Sequence, residues 1–380
     1  MNQKKVYVIL AMLLIASLAL ASCAPAATTV APSTAAPEQP TEAAQPTAAP
    51  AVENTAVQAP ATNAPTTAAE VQPASTEKPI KIAAVAAESG IPYFTTMHCG
   101  AIAAAEKYNV DLNWAGPAEW DFNKQQPFID GAIAWQPDAL VIVPTDPQAL
   151  VTYVKEWMGN GLPVVTVDVT LTEPVELQGI ESDQYSGGVV AANAMFEATQ
   201  GEGSYLTIGT DPGSFGANQR VSGFTDTMKE LKPDVKLLPT CYPGHDVTRA
   251  AQCTSAAIMG NPDLAGVYVA TSAPAGGASS AVIEAGKQGE ILLTSFDADP
   301  QQLQDLKAGV YLTVVAQDPY QMGYHAIEML AQDLRGEIDA SAIPQHVTMP
   351  MAALTQANVD NPELLKYHYV GDINLCPPAP

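Results

Sequence analysis

From position 80 onward, short runs rich in β-branched and other apolar residues alternate with longer stretches whose apolar positions recur at helical spacing. The runs at 80–86, 110–115, 139–143 and 163–167 read as strands, with helices beginning at Phe94, Asn123 and Pro147 between them. A second series of strands reads at 205–209, 235–238, 266–269, 291–295 and 311–315. Strands separated by helices in this way layer as α/β with a parallel sheet, and two series predict two doubly wound lobes. Turn chemistry supports the boundaries: Gly159, Gly161 and Pro163 close one helix and open one strand, and Gly286 and Gly289 do the same later.

The first eighty residues carry neither period. Lys4 and Lys5 precede an apolar run from Val6 to Leu20 that ends on Leu20-Ala21-Ser22-Cys23: a charged start, a short apolar core and small residues at a cleavage point. The run falls short of the roughly twenty residues that span a hydrocarbon core, so a cleaved leader at 1–23 is expected rather than a permanent membrane helix. Leu-Ala-Ser-Cys also resembles the lipobox of bacterial lipoproteins, which implies that Cys23 is lipidated and becomes the new N-terminus. From 24 to 79 the chain is mostly Ala, Pro, Thr, Glu and Gln, too poor in large apolar side chains to offset its ordering entropy, and reads as a disordered tether. The roughly three hundred residues beyond it are too many for one ordinary core and suit two lobes.

Net charge changes the picture of partners more than that of fold. At −24, with 16 Lys and Arg scattered along the chain, a phosphate backbone would be repelled and nucleic acid is not an expected partner. Of the 5 cysteines, setting Cys23 aside leaves an even number in an oxidising compartment, where disulfides form. Cys241 and Cys253 are the first expected pair, one ending a strand and the other in the helix after Asp246. Cys99 with Cys376 would pin the C-terminal tail to the first helix. A metal site of Cys241, His245 and Cys253 competes with the first pair but lacks a fourth ligand at a usual spacing.

In open parallel sheets, ligands bind beyond the carboxyl ends of the strands. Residues at those ends are Tyr93 and Phe94, Thr145 and Asp146, Asp168, Arg220, Thr271 and Ser272, Phe296 and Asp297, and Gln317. Such a set could hold a polyol, with rings against C–H groups and with carboxylates and the guanidinium on hydroxyls. Each position also has an ordinary structural use, since an Asp at a strand end caps helices and a Phe there packs in cores.

These residues lie in an ordered series of short motifs: Pro92-Tyr93-Phe94, Val141-Ile142-Val143-Pro144-Thr145-Asp146, Thr166-Val167-Asp168, Ser182-Asp183, Ala217-Asn218-Gln219-Arg220 with Gly223-Phe224, Asn261-Pro262-Asp263, Ser295-Phe296-Asp297, and Val315-Ala316-Gln317 with Gly323. Over about 80–348 the series resembles the type I periplasmic binding proteins, specifically the ribose-like sugar-binding group. The resemblance implies three hinge crossings between lobes, near 181–183, 316–318 and 343–346. It gives a first lobe of 80–182 plus 317–344 and a second of 183–316 plus 345–380. It also implies stacking roles for Tyr93, Phe94 and Phe296, and hydroxyl binding by Asp168, Arg220, Asp297 and Gln317, with Thr271 also in the site.

The pattern departs from ribose binders at Ile91, Val143, Val169 and Thr271, where that group carries Asn, Asn, Arg and Asn, and at His245, where it carries an aromatic. The implied ligand is therefore less hydroxylated, differently shaped or larger than ribose. Trp120 and Asp121, after the second strand, are placed to fill part of the difference.

The resemblance further implies extracytoplasmic capture of a small sugar, deoxy sugar or polyol for the permease of an ABC importer. No cofactor or metal, a monomeric chain and membrane attachment through the lipid alone are expected with it. A sensor docking on a chemotaxis or kinase receptor stays open as an alternative. The repressors that share the two-lobed fold carry a DNA-binding headpiece where this chain has a leader and tether. An extracytoplasmic enzyme is disfavoured because Gly-x-Ser-x-Gly, His-Glu-x-x-His and Walker motifs are all missing from the sequence.

Overall fold

The computed structural model describes residues 78–378; the leader, Cys23 and the tether up to residue 77 lie outside them. The first sheet contains β1 (Ile80–Val85), β2 (Val110–Ala115), β3 (Ala139–Ile142), β4 (Val164–Val167) and β5 (Gln178–Ser182). Helices α1 (Pro92–Lys107), α2 (Phe122–Ala134) and α3 (Pro147–Gly159) connect the first four strands. Every residue of β3 and of β4 is buried, as expected of apolar runs flanked by helices on both faces.

The chain then enters α4 (Gln184–Thr199) and builds a second sheet. This sheet comprises β6 (Ser204–Ile208), β7 (Lys236–Leu237), β8 (Leu264–Val269), β9 (Leu292–Phe296) and β10 (Tyr311–Ala316). Its connecting helices are α5 (Phe215–Leu231), α6 (Val247–Gly260), α7 (Ser272–Glu284) and α8 (Pro300–Lys307). Helix α9 (Pro319–Leu334) returns to the first lobe, and two short strands follow, β11 (His346–Met349) and β12 (Ala352–Leu354).

The strand orders are β11-β5-β4-β3-β1-β2 and β12-β10-β9-β8-β6-β7. The two lobes therefore repeat one strand order, with β4 equivalent to β9 and β5 to β10, and differ in the direction of the edge strand. One pairing corrects the expected domain boundary. Strand β11 pairs in parallel with β5, His346 opposite Gly179 and Met349 opposite Ser182, so it belongs to the first lobe. The third crossing consequently falls at 350–351, between β11 and β12, and not at 343–346; β12 pairs antiparallel with β10 in the second lobe.

Aspartates start the helices nearest the crossings. The Asp183 side chain accepts from the Ser186 N–H at the head of α4, and the Asp318 side chain accepts from the Gln321 N–H at the head of α9. Each of these helices lies against the helix that follows the first strand of its lobe, α4 on α5 and α9 on α1. Glycines bring the backbones together. A Cβ on Gly323 would stand 2.0 Å from the Met97 carbonyl oxygen, and one on Gly100 1.9 Å from that of Tyr320. In the other lobe a Cβ on Gly188 would stand 2.0 Å from the Arg220 carbonyl oxygen, and one on Gly223 2.1 Å from that of Tyr185.

Disulfides join Cys241 to Cys253 and Cys99 to Cys376. The first uses both thiols that the alternative metal site with His245 would need. No helix among the described residues is long and apolar enough to cross a membrane.

Candidate functional site

Asp168 follows β4 and Asp297 follows β9, so the two carboxylates occupy equivalent places in the two lobes. Both have positive φ, 68° and 72°, in the left-handed region. Each also donates its backbone N–H to the next strand, Asp168 to the Ile180 carbonyl at 2.8 Å and Asp297 to that of Val315 at 2.9 Å. A non-glycine residue in this region is strained by about 1–3 kcal/mol, and such strain gathers at functional sites. Neither aspartate is the N-cap residue of a helix, unlike Asp146, whose side chain accepts from the Gln148 and Ala149 N–H groups at the start of α3; Asp297 Oδ2 accepts instead from the Ser272 N–H at the head of α7, at 3.3 Å.

The elements after the neighbouring strands bring partners to these carboxylates. At the head of α1, Tyr93 donates its hydroxyl to Asp168 Oδ1 at 2.7 Å. Its ring meets that of Phe94 edge-on, with centroids 5.1 Å apart. From α5, Arg220 donates through Nε to Gln184 Oε1 at 2.6 Å and through Nη1 to the Ala270 carbonyl at 2.8 Å. Its guanidinium lies 3.8 Å from the Phe296 ring centroid, and its Nη1 stands 3.9 Å from Asp297 Oδ2. At the second crossing Gln317 donates through Nε2 to Asp297 Oδ1 at 2.9 Å. Asp168, Arg220, Asp297 and Gln317 are all buried, so first lobe, second lobe and hinge converge on one closed set of polar groups.

Burial sets the electrostatics. It pushes the Asp168 carboxyl up to about 6, against the downward pull of the Tyr93 hydrogen bond and of Arg220, while the charge on Asp297 adds to the rise. Asp299, two residues on from Asp297, is pushed up to about 7 by burial first and by Asp297 second. The Tyr93 hydroxyl is held well above its usual range by burial and by Asp168. Carboxylates, a guanidinium and a carboxamide in such a desolvated place favour a neutral partner with several hydroxyls, each able to take a charge-assisted hydrogen bond.

The remaining expected residues spread over the rim and the core. Thr271 immediately precedes α7, and its buried Oγ1 has no hydrogen-bond partner in the described residues. Trp120 is exposed at the rim, its ring 6.2 Å from that of Phe94. Ile91 precedes α1 and is half-buried, as is Val169, while Val143 is buried and its carbonyl accepts from Gln125 Nε2. His245 is exposed; burial raises the Glu88 carboxyl of the other lobe, and the proximity of His245 opposes that rise. Phe296 is fully buried, packed beneath Arg220 and clustered with Phe224 and Tyr268. Its position thus supports the guanidinium from below.

Two members escaped the sequence reading. Gln184 opens α4 immediately after the first crossing, a placement that the crossing motif itself signals. Tyr369 comes from the C-terminal tail, and its hydroxyl accepts from the Gln317 N–H at 3.1 Å.

Residues 82–338 match a family model described as periplasmic binding protein domain. A ribose import binding protein of Bacillus subtilis is 27% identical over 266 residues, which cover 70% of this chain and 84% of that protein. A solute-binding protein of an ABC transporter from Agrobacterium vitis, solved with α-D-tagatopyranose, superposes with a TM-score of 0.71 at 29% identity, covering 77% of this chain and 99% of that one. A second from the same organism, solved with D-fucose, gives 0.70 at 26% identity, covering 76% and 100%.

Proposed function

The chain belongs to the periplasmic binding proteins, in their type I, ribose-like group, and from that premise we propose that it captures a small carbohydrate outside the cytoplasm and delivers it to the permease of an ABC importer. The observation that carries this reading is the meeting of Asp168, Arg220, Asp297 and Gln317 from two lobes and a hinge in one buried set. Relatives named for ribose import, or solved with tagatose or fucose, support the same ligand class. The chain works as a binding protein and not as a catalyst. Attachment to the membrane is through a lipid on Cys23, with the tether between the anchor and the lobes.

Closure is the working step. Contacts supplied by both lobes exist together only when the cleft is shut, so ligand shifts the open–closed population toward the shut form, which the permease recognises. The chain crosses between lobes after β5, after β10 and after β11, and these segments are the hinges.

Ile91, Val143 and Val169 set the choice of sugar. They give apolar contact where ribose binders offer hydrogen bonds, and each ribose hydroxyl left unpaired costs about 1–3 kcal/mol. D-fucose, a 6-deoxyhexose, is the kind of ligand that tolerates this exchange. Titration calorimetry of the purified protein against D-ribose, D-allose, D-tagatose, D-fucose and xylitol tests the reading. Ribose should bind at least about a hundredfold more weakly than the best of the others. Tight ribose binding with the others silent would reject the assignment of these three positions, and no binding across the panel would reject the carbohydrate.

A further inference from the structure

The chain continues beyond its third crossing. After β12 it runs along the second lobe, where Gln356 Nε2 donates to the Lys307 carbonyl at 2.8 Å and Asp360 pairs with Lys307 at 2.6 Å. The Tyr369 N–H then donates to the Ala298 carbonyl at 3.1 Å, one residue past Asp297. The next N–H, from Val370, donates to Thr96 Oγ1 on α1 at 2.8 Å, in the other lobe. Six residues on, Cys376 is bonded to Cys99 on the same helix. The tail is therefore a fourth link between the lobes, and a covalent one.

At the point where this link passes from lobe to lobe, its side chain enters the site. Tyr369 is buried, with its ring edge-on to Tyr93 at 5.5 Å and its hydroxyl 3.4 Å from Asp297 Oδ1. That hydroxyl accepts from the backbone N–H of Gln317 and donates to Asp297 Oδ1, the same oxygen that takes the Gln317 carboxamide. Oδ1 is thereby saturated, and Asp297 is left to offer Oδ2, the oxygen that faces Arg220 and the Ser272 N–H. Tyr369 lies past the end of the matched family domain at residue 338.

We propose that Tyr369 is a specificity-determining positioning residue of the cleft: it fixes which oxygen of Asp297 meets the ligand, and the Cys99–Cys376 strap holds it in place. The proposal rests on the carbohydrate reading above. Without the hydroxyl, Asp297 turns and Oδ1 becomes free to take a further sugar hydroxyl, which favours fully hydroxylated sugars over deoxy ones.

The test is calorimetry of the same five-sugar panel with the wild-type protein, Tyr369→Phe and the double variant Cys99→Ala with Cys376→Ala, alongside apo melting curves. In Tyr369→Phe, the affinity ratio of D-fucose to D-tagatose should fall about tenfold, the scale of one hydrogen bond to a charged group. The strap variant should move the same ratio in the same direction. A lower melting temperature with an unchanged ratio in both variants would make Tyr369 merely structural and overturn the proposal. A shift in Tyr369→Phe alone would keep the hydroxyl's role and overturn that of the strap. Failure of the wild-type protein to bind any sugar would sink the carbohydrate reading, and with it this one.

Discussion

Asp168 and Asp297 are held in backbone conformations that L-residues seldom adopt, at equivalent strand ends, and one of the two keeps its proton far above the usual carboxylate range. This has a direct consequence for stability. Asp168 and Asp299 bind a proton more tightly folded than unfolded, so their contribution is fully present below the unfolded value of 3.8 and is lost as pH rises through about 6 for Asp168 and about 7 for Asp299. The melting temperature of the ligand-free protein should thus fall between about pH 4 and pH 7. Asp168→Asn, which tolerates the same φ, should flatten the lower part of that fall and weaken sugar binding by at least about tenfold; melts across pH and calorimetry at neutral pH check both. The two aspartates were legible from the sequence because a strand end and its chemistry are local. Tyr369 was not, since it reaches Gln317 across 52 residues and lies in a stretch with no strand or helix period to place it. What aims it is a contact with Ala298 and a disulfide, and neither is written in local pattern.

At the level of elements, the helices that lead away from the first two crossings pack against the helix after the first strand of each lobe through paired glycines, Gly188 with Gly223 and Gly100 with Gly323. The obstacle to a side chain there is backbone carbonyl oxygen, which cannot step aside as a flexible side chain would. Gly323→Ala should therefore force α9 off α1 and cost about 1–3 kcal/mol or somewhat more, seen as a lower denaturant midpoint with an unchanged slope. A midpoint equal to that of the wild type would mean that the helices slide apart freely. The same change at Gly131, an exposed position inside α2 that meets nothing within 4 Å, should instead stabilise by about 0.5–1 kcal/mol and serves as the control. The nine strands expected from apolar runs all appear, with ends shifted by a residue or two. Strands β5, β11 and β12 were missed. The β5 segment reads Gln-Gly-Ile-Glu-Ser, with a single large apolar residue, and β11 and β12 are short edge strands. Their state is decided by partners far along the chain, and the misplacement of the third crossing followed from that.

Over the whole molecule, a repeated topology sets two similar lobes face to face, and four links join them. Three are the hinge crossings; the fourth is the tail, whose far end is fixed to the first lobe by a bond between sulfur atoms whose cysteines lie 277 residues apart. The sequence reading of an even cysteine count anticipated that pairing, though not that the tail it fixes would reach the cleft. Topologically, the bond turns most of the folded chain into a closed ring with two short free ends. A single protease cut in any surface loop between Cys99 and Cys376 should then open the ring without releasing a fragment. On a non-reducing gel the nicked protein should run as one species of nearly intact mass, and two pieces should separate only after thiol is added. The folded part would thus outlast a first cut as one covalent particle.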